Sequence, residues 1–238
     1  MNHKSKFSLL IPGYILVITL LILVTFFTNR TVTILSENVN SDYRKTLVID
    51  AGHGGIDGGA TSCSGVLESH INLDIALRLS NLAQLLGIKC VLIRDTDCSI
   101  HTAGDSIASK KVSDLKNRLH IINQTNTDLF VSIHQNYFHD GKYRGAQVFY
   151  NKLDSSKVFA EKMQSTFINT LNHDSRRSAK RGTGIYLLEN SACPGALIEC
   201  GFISNYEEDI LLNSPDYQKK ICCIIASECS KFLYNHSA

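Results

Sequence analysis

The sequence has neither a large net charge nor a run of basic residues. Its 238 residues include 24 Lys and Arg against 22 Asp and Glu, a formal net charge of +2. Proteins that bind nucleic acid usually carry a basic surface that neutralises phosphates. This charge balance therefore argues against a nucleic-acid partner. We find no internal repeat, and the 44% hydrophobic fraction suits one domain with a sizeable core.

The eight cysteines contain no C-x-x-C pair and show no regular spacing. An exported protein often pairs its cysteines in disulfides, and that alternative stays open. Cys90 and Cys200, however, lie inside apolar runs typical of strands. We therefore expect free and mostly buried thiols that pack as small hydrophobic side chains.

The N-terminal region lacks the small-residue cleavage site of a signal peptide. Lys4 and Lys6 precede an uncharged stretch whose apolar part ends at Phe27. A bilayer is crossed by roughly 20 apolar residues, whereas the apolar region of a signal peptide has only about 7–15. An uncleaved membrane anchor is therefore favoured over a cleaved signal, with the following domain outside the cytoplasm. The predicted division is an anchor at 1–30, a linker at 31–45 and a catalytic domain at 46–238.

Beyond Thr46, short apolar runs alternate with segments of helical periodicity. One helix has Ile71, Ile75 and Leu79 on a single face and ends at Gly87. This alternation predicts an α/β fold, a mainly parallel twisted sheet with helices on both faces. The predicted strands are 46–50, 88–93, 129–133, 146–150, 185–188 and 196–198, and the predicted helices are 68–86, 114–123, 155–171 and one from 214.

Three of the apolar strands run directly into polar side chains. The first strand leads to Asp50 and His53, the strand at 129–133 to His134, and the strand at 196–198 to Glu199. In open α/β sheets, ligands bind outside the carboxyl ends of the strands. We therefore expect these side chains to form one site.

Glycines surround His53 in the sequence, and they leave room beside its ring. A nucleotide-binding loop is the main competing interpretation. It fails because Asp57, which we expect to form a turn, occupies the third glycine position of G-x-G-x-x-G. The next helix also begins only near Glu68, too far on to hold a phosphate.

Glu68 and Glu199 are the two carboxylates of the predicted site. Glu68 alone would be an ordinary acid in the first turn of a helix. With His53 and His134 it completes a set of two histidines and one carboxylate, which suits catalytic Zn²⁺ with an open position. Glu199 lies on an apolar strand, where burial raises its pKa toward that of a general base. A structural ion pair of Glu199 with Arg94 or Arg118 remains the alternative.

Three further residues are weaker candidates. Asp50 is expected to orient a ligand histidine, and Asn136 and Arg118 to support the ligands or contact substrate. His139 lies in a tyrosine-rich loop, where substrate contact or exposure is expected rather than metal binding. The histidines expected at the surface are His70, His101, His120 and His173.

Four segments together resemble the zinc-dependent N-acetylmuramoyl-L-alanine amidases over residues 46 to about 233. They are VIDAGHGGIDGGA, GVLESHINLDIA, RLHIINQTNTDLFVSIHQN and PGALIECGFISN. The resemblance implies that His53, Glu68 and His134 bind zinc and that Glu199 is the catalytic glutamate. It also implies cleavage of peptidoglycan between the lactyl group of N-acetylmuramic acid and L-alanine. One departure is Ser69, where the family commonly has lysine.

The short chain is most similar to the germination-specific amidases of spore formers, which help to make muramic-δ-lactam in the spore cortex. The helical insertion that occludes the metal in division amidases is not expected here. Control would then come from expression, substrate access or an activating accessory protein. The alternatives are a zinc peptidase or deacetylase acting on another wall bond, and an inactive, membrane-tethered glycan-binding protein.

Overall fold

The computed structural model describes residues 16, 18–20, 23–25, 44–124 and 126–234. The chain divides into two units, residues 1–44 and residues 45–238, and the fold given below is that of the second. Among the helices of the described residues, none combines the length and apolar character needed to cross a membrane. The anchor expected at 1–30 and the linker at 31–45 fall largely outside the described residues, so they stay predictions.

The second unit is built on a six-stranded sheet with the order β2-β1-β3-β6-β4-β5. Neighbouring strands are parallel except for β4 and β6, which are antiparallel. The prediction of a mainly parallel sheet is therefore confirmed. The strands are β1 (Thr46–Ala51), β2 (Lys89–Leu92), β3 (Leu129–Asn136), β4 (Gln147–Tyr150), β5 (Lys180–Arg181) and β6 (Gly195–Phe202).

Helices cover both faces of this sheet, as predicted. On β1, Leu47 and Ile49 pack into the larger core with α1, α3 and α6, whereas Val48 points to the other face. That second face is closed by α2 and α4. Alternating side chains of a strand point to opposite faces, so one apolar strand serves both layers. The helices are α1 (Glu68–Leu85), α2 (Ile107–Gln124), α3 (Asp154–Thr170), α4 (Tyr186–Asn190), α5 (Tyr206–Leu212) and α6 (Pro215–Tyr234).

The strand predicted at 185–188 is wrong, because this segment begins α4. Leu187 and Leu188 are both buried in the core of the second face. Consecutive side chains of a strand would point to opposite faces, whereas adjacent positions of a helix can both face one core. A short apolar run does not distinguish these two structures by its periodicity.

Two other expectations are modified. The second helix begins at Ile107 rather than residue 114. Val112 extends the apolar spacing of Leu115 and Leu119 toward the N-terminus, but these first turns are largely exposed. All eight cysteines are free, as predicted. They are not mostly buried, however, since only Cys200, Cys222 and Cys229 are buried and Cys63 is exposed.

Candidate active site

The carboxyl ends of β1, β3 and β6 meet at one edge of the sheet because these adjacent strands are parallel. His134 on β3 is the register partner of Glu199 on β6. His53 lies in the loop that leaves β1, and Glu68 is the first residue of α1. Potential ligand atoms of His53, Glu68 and His134 lie within 4.8 Å of one another. The fold thus brings together the residues that the sequence singled out.

Glu68 lies between the two histidines. Its Oε2 is 3.3 Å from His53 Nε2, and its Oε1 is 3.0 Å from His134 Nδ1. Asn72 Nδ2 and the backbone NH of Gln135 also donate to Oε1, each at 3.2 Å. These bonds fix the carboxylate so that each oxygen faces one imidazole.

Two glycines make the space for this cluster. A Cβ on Gly52 would lie 2.2 Å from His134 Nε2, and a Cβ on Gly59 would lie 2.6 Å from Glu68 Oε2. His53 itself has φ 62°, a left-handed conformation that is uncommon outside glycine. Strained backbone of this kind is concentrated at functional sites.

The charges of the cluster suit a cation. Burial alone would lower the pKa of His53, but the Glu68 carboxylate, together with Asp57, overcomes this effect and raises the pKa to about 9. Burial would raise the pKa of Glu68, yet hydrogen bonds from His134 and His53 hold it well below its usual range. Two imidazole nitrogens and one ionised carboxylate form a donor set that can hold a metal ion.

Glu199 lies beside His134 and has a buried carboxylate oxygen, Oε2, without a hydrogen-bond partner among the described residues. Burial, together with the nearby Glu68 carboxylate, raises the pKa of Glu199 to about 7, although His134 opposes the shift. The alternative of an ion pair is excluded, because Arg94 donates to backbone carbonyls and Arg118 binds other carboxylates.

The Arg118 side chain holds the loop of His53 in place through hydrogen bonds. The guanidinium donates to Asp50 Oδ1 at 2.5 Å, to Asp114 Oδ2 at 2.5 Å and to the His53 carbonyl at 2.6 Å. The other oxygen of Asp50 accepts from the Ser132 hydroxyl at 2.6 Å. Among the described residues, the Asp50 carboxylate forms no hydrogen bond with His53 or His134. It is linked to the His53 carbonyl through Arg118 and interacts electrostatically with His134, so its expected role in orienting a histidine stays a prediction.

Asp57 is the carboxylate that contacts Nδ1 of the His53 ring directly. Its Oδ2 is 3.0 Å from His53 Nδ1, and its Oδ1 is 2.8 Å from Lys111 Nζ. This bond leaves His53 Nε2 directed at Glu68. The Gly59 NH also donates to Asp57 at 3.3 Å, so the expected turn is present as well. An acid four residues after His53 was the signal available in the sequence.

Two other candidates, Asn136 and His139, lie outside the cluster of His53, Glu68 and His134. The Asn136 carbonyl accepts from the Ile203 NH at 2.9 Å, and in the described part of the chain no hydrogen bond joins its side chain to the cluster. His139 is exposed and packs edge-on against Tyr137. A cleft of about 160 Å³ opens beside His53 and His134 and is bordered by Lys111.

Comparison with known proteins gives consistent matches. Residues 47–228 match the family model described as N-acetylmuramoyl-L-alanine amidase. The germination-specific N-acetylmuramoyl-L-alanine amidase of Bacillus subtilis is 37% identical over 183 residues, which are 76% of each chain.

Solved structures agree with these matches. The CwlD amidase of Clostridioides difficile, solved in complex with the GerS lipoprotein, has a TM-score of 0.77 and 39% identity, over 80% of this chain and 98% of that chain. The catalytic domain of CwlV from Bacillus (Paenibacillus) polymyxa has a TM-score of 0.67 and 28% identity, over 79% and 98%. The chain therefore belongs to the N-acetylmuramoyl-L-alanine amidase family and is an amidase.

Proposed function

We propose that this amidase uses zinc, held by His53, Glu68 and His134, to hydrolyse the amide between N-acetylmuramic acid and L-alanine of peptidoglycan. The observation that carries the proposal is the cluster of three donor side chains beside the unsatisfied oxygen of Glu199. Zinc bound there would polarise the amide carbonyl and lower the pKa of water. The glycine-lined space around the donors supports this assignment.

In this proposal Glu199 is the general base and then the general acid. Its pKa near 7 lets the carboxylate take a proton from the attacking water at neutral pH. The same carboxyl then gives the proton to the nitrogen of the departing L-alanine. Asp57, itself paired with Lys111, holds His53 Nδ1, which would leave Nε2 available to hold the zinc.

We further propose a role in the spore cortex, where removal of stem peptides precedes formation of muramic-δ-lactam. The 37% identity to the germination-specific amidase supports this role. The expected location is the wall or cortex side of the membrane, with the predicted anchor at residues 1–30. The complex of the C. difficile relative with a lipoprotein supports an accessory protein for this chain as well.

Product analysis separates this activity from a zinc peptidase or deacetylase, because the donor set alone does not specify the bond. Purified peptidoglycan is treated with the zinc-loaded protein and analysed by mass spectrometry. An amidase releases intact stem peptides with a free L-alanine amine and leaves the glycan strands acetylated and uncut. Release of single amino acids, or of acetate, would contradict the proposed bond specificity.

A further inference from the structure

A second cavity, distinct from the proposed metal site, is strongly basic. It measures about 570 Å³ and is lined by the segments 142–145 and 171–177. Four cationic side chains line it against the single carboxylate of Asp174. The cations are Lys142, Arg144, Arg176 and Arg177.

The sheet topology places this cavity at the same edge as the catalytic residues. β4 is antiparallel to β6, so the segment that precedes β4 lies where β6 ends. β5 is parallel to β4, so the loop that precedes β5 lies at that edge too. With β4 and β5 next in order after β6, the cavity is displaced sideways from Glu199 by one to two strand spacings, about 5–10 Å. It also lies further along β6, where Arg177 packs on Phe202.

Two of the four cations, Arg176 and Arg177, form no ion pair among the described residues, although Arg177 interacts at longer range with the buried Glu208 carboxylate. Lys142 and Arg144 each form an exposed ion pair, which contributes little and is readily exchanged. Across the described ranges, no carboxylate lies within ion-pair distance of Arg176 or Arg177. The cavity therefore has positive charge available for an anionic ligand.

Arg177 is also held in place. Its guanidinium lies 4.9 Å from the centre of the Phe202 ring, and its Nε donates to the Arg144 carbonyl at 3.3 Å. Phe202 is the last residue of β6, the strand that carries Glu199. A guanidinium fixed on an aromatic ring presents its remaining donors in a geometry that matches a carboxylate.

We propose that this basic cavity binds a carboxylate of the stem peptide while the amide is cleaved at Glu199. The inference rests on the proposed function, since the cavity would bind the peptide part of the proposed peptidoglycan substrate. Peptide chains extend by about 3.3–3.6 Å per residue, so the third stem residue lies about 10 Å from the cleaved bond. The acidic stem residues that follow L-alanine therefore reach the arginines.

The test is a binding measurement on the full-length protein. Calorimetry compares a free stem tripeptide, of L-alanine, γ-linked D-glutamate and a diamino acid, with the same tripeptide amidated at its carboxylates. We expect the acidic form to bind at least about tenfold more tightly, and Arg176→Glu to remove most of that advantage. Lys152→Glu is the matched control, because Lys152 is exposed and follows β4 at the opposite edge. It should leave both affinities unchanged.

Equal affinity for the two tripeptides, or wild-type affinity in Arg176→Glu, would overturn the inference. The inference would also be overturned if Arg176→Glu bound the tripeptide normally but no longer bound an accessory protein. The cavity would then be a site for that protein. Arg176→Gln repeats the test without charge reversal if Arg176→Glu does not fold. Hydrolysis is assayed in parallel. Carboxylate-dependent binding without amide cleavage would refute the proposed function alone, whereas cleavage without carboxylate preference would refute only this inference.

Discussion

At the scale of single residues, the site depends on how closely side chains approach a backbone without Cβ atoms. Gly52 and Gly59 leave the space that the His134 ring and the Glu68 carboxylate occupy. The sequence predicts the cluster because polar residues follow three apolar strands. It does not predict which carboxylate contacts His53, because Asp50 and Asp57 both lie near His53 in sequence. Only the folded loop directs Asp57 to the imidazole.

The first prediction concerns the histidines. His53→Ala and His134→Ala should each lose zinc and activity, because two protein ligands hold the metal far less tightly than three. Metal analysis of the purified variants measures the loss. His139→Ala is the control, since His139 is exposed and outside the cluster. Full zinc content in His134→Ala, with loss in His139→Ala, would assign the ligand to the other histidine.

The second prediction concerns Asp57. Asp57→Asn keeps the shape of the side chain but removes the charge that orients His53, so zinc affinity should fall about 10–100-fold. Competition with a chelator measures the affinity. Asp105→Asn, at an exposed position away from the cluster, should bind zinc as the wild type does. An unchanged affinity in Asp57→Asn would show that His53 needs no carboxylate to hold its orientation.

At the scale of elements, predictions succeed where periodicity is long and fail where it is short. The α1 helix shows a clear apolar face, and its predicted range is nearly the observed one. The α4 helix has only five residues, so its apolar run could not be told from a strand. The predicted start of α2 is too late, because the apolar residues of its first turns, Ile107 and Val112, are few and exposed among polar neighbours.

The third prediction concerns the ion pair that joins β1 to α2. Burial would raise the pKa of Asp50, but Arg118 and the Ser132 hydroxyl hold it below its usual value. A depressed carboxyl pKa stabilises the fold above the unfolded pKa of about 4 and loses this contribution as the pH falls. Asp50→Asn should therefore lower the free energy of unfolding by about 3 kcal/mol at pH 7, because Arg118 loses a buried partner.

Urea unfolding between pH 7 and pH 3 tests this dependence. The difference between the wild type and Asp50→Asn should shrink as the pH falls below about 4, where Asp50 of the unfolded chain is already protonated. Asp216→Asn, in an exposed pair with Lys219, is the control and should change stability little. A difference that stays constant with pH would mean that packing, rather than charge, carries the effect.

At the scale of the whole molecule, the fold brings residues that are distant in sequence together at one edge of the sheet. The order of strands places His134 beside Glu199 and places the basic cavity one to two strands further along. The first grouping is predicted because His134 and Glu199 each follow an apolar strand whose carboxyl end lies at one edge of the sheet. The cavity could not be predicted, because Arg176 and Arg177 belong to no motif and Arg177 contacts Phe202 only in the folded chain.

The fourth prediction concerns regulation. His53 and the neighbouring Gly54, Gly55 and Gly59 all have positive φ, so the loop is costly to order. We expect the isolated protein to bind zinc more weakly than a typical catalytic site and to gain affinity with an accessory protein. By linkage, zinc should tighten that complex by the same factor. Zinc titration measures both, and tight stoichiometric binding with full activity in the protein alone would contradict this expectation.

The central claim is that three residues hold the metal while Glu199 moves the proton, and Glu199→Gln tests it most directly. The variant keeps the shape of the side chain but cannot accept a proton. Zinc content and release of stem peptides from peptidoglycan are measured on the same preparation. We predict zinc equal to that of the wild type and a loss of hydrolysis of at least about 100-fold. Substantial turnover with zinc retained would remove Glu199 from the mechanism and contradict the account.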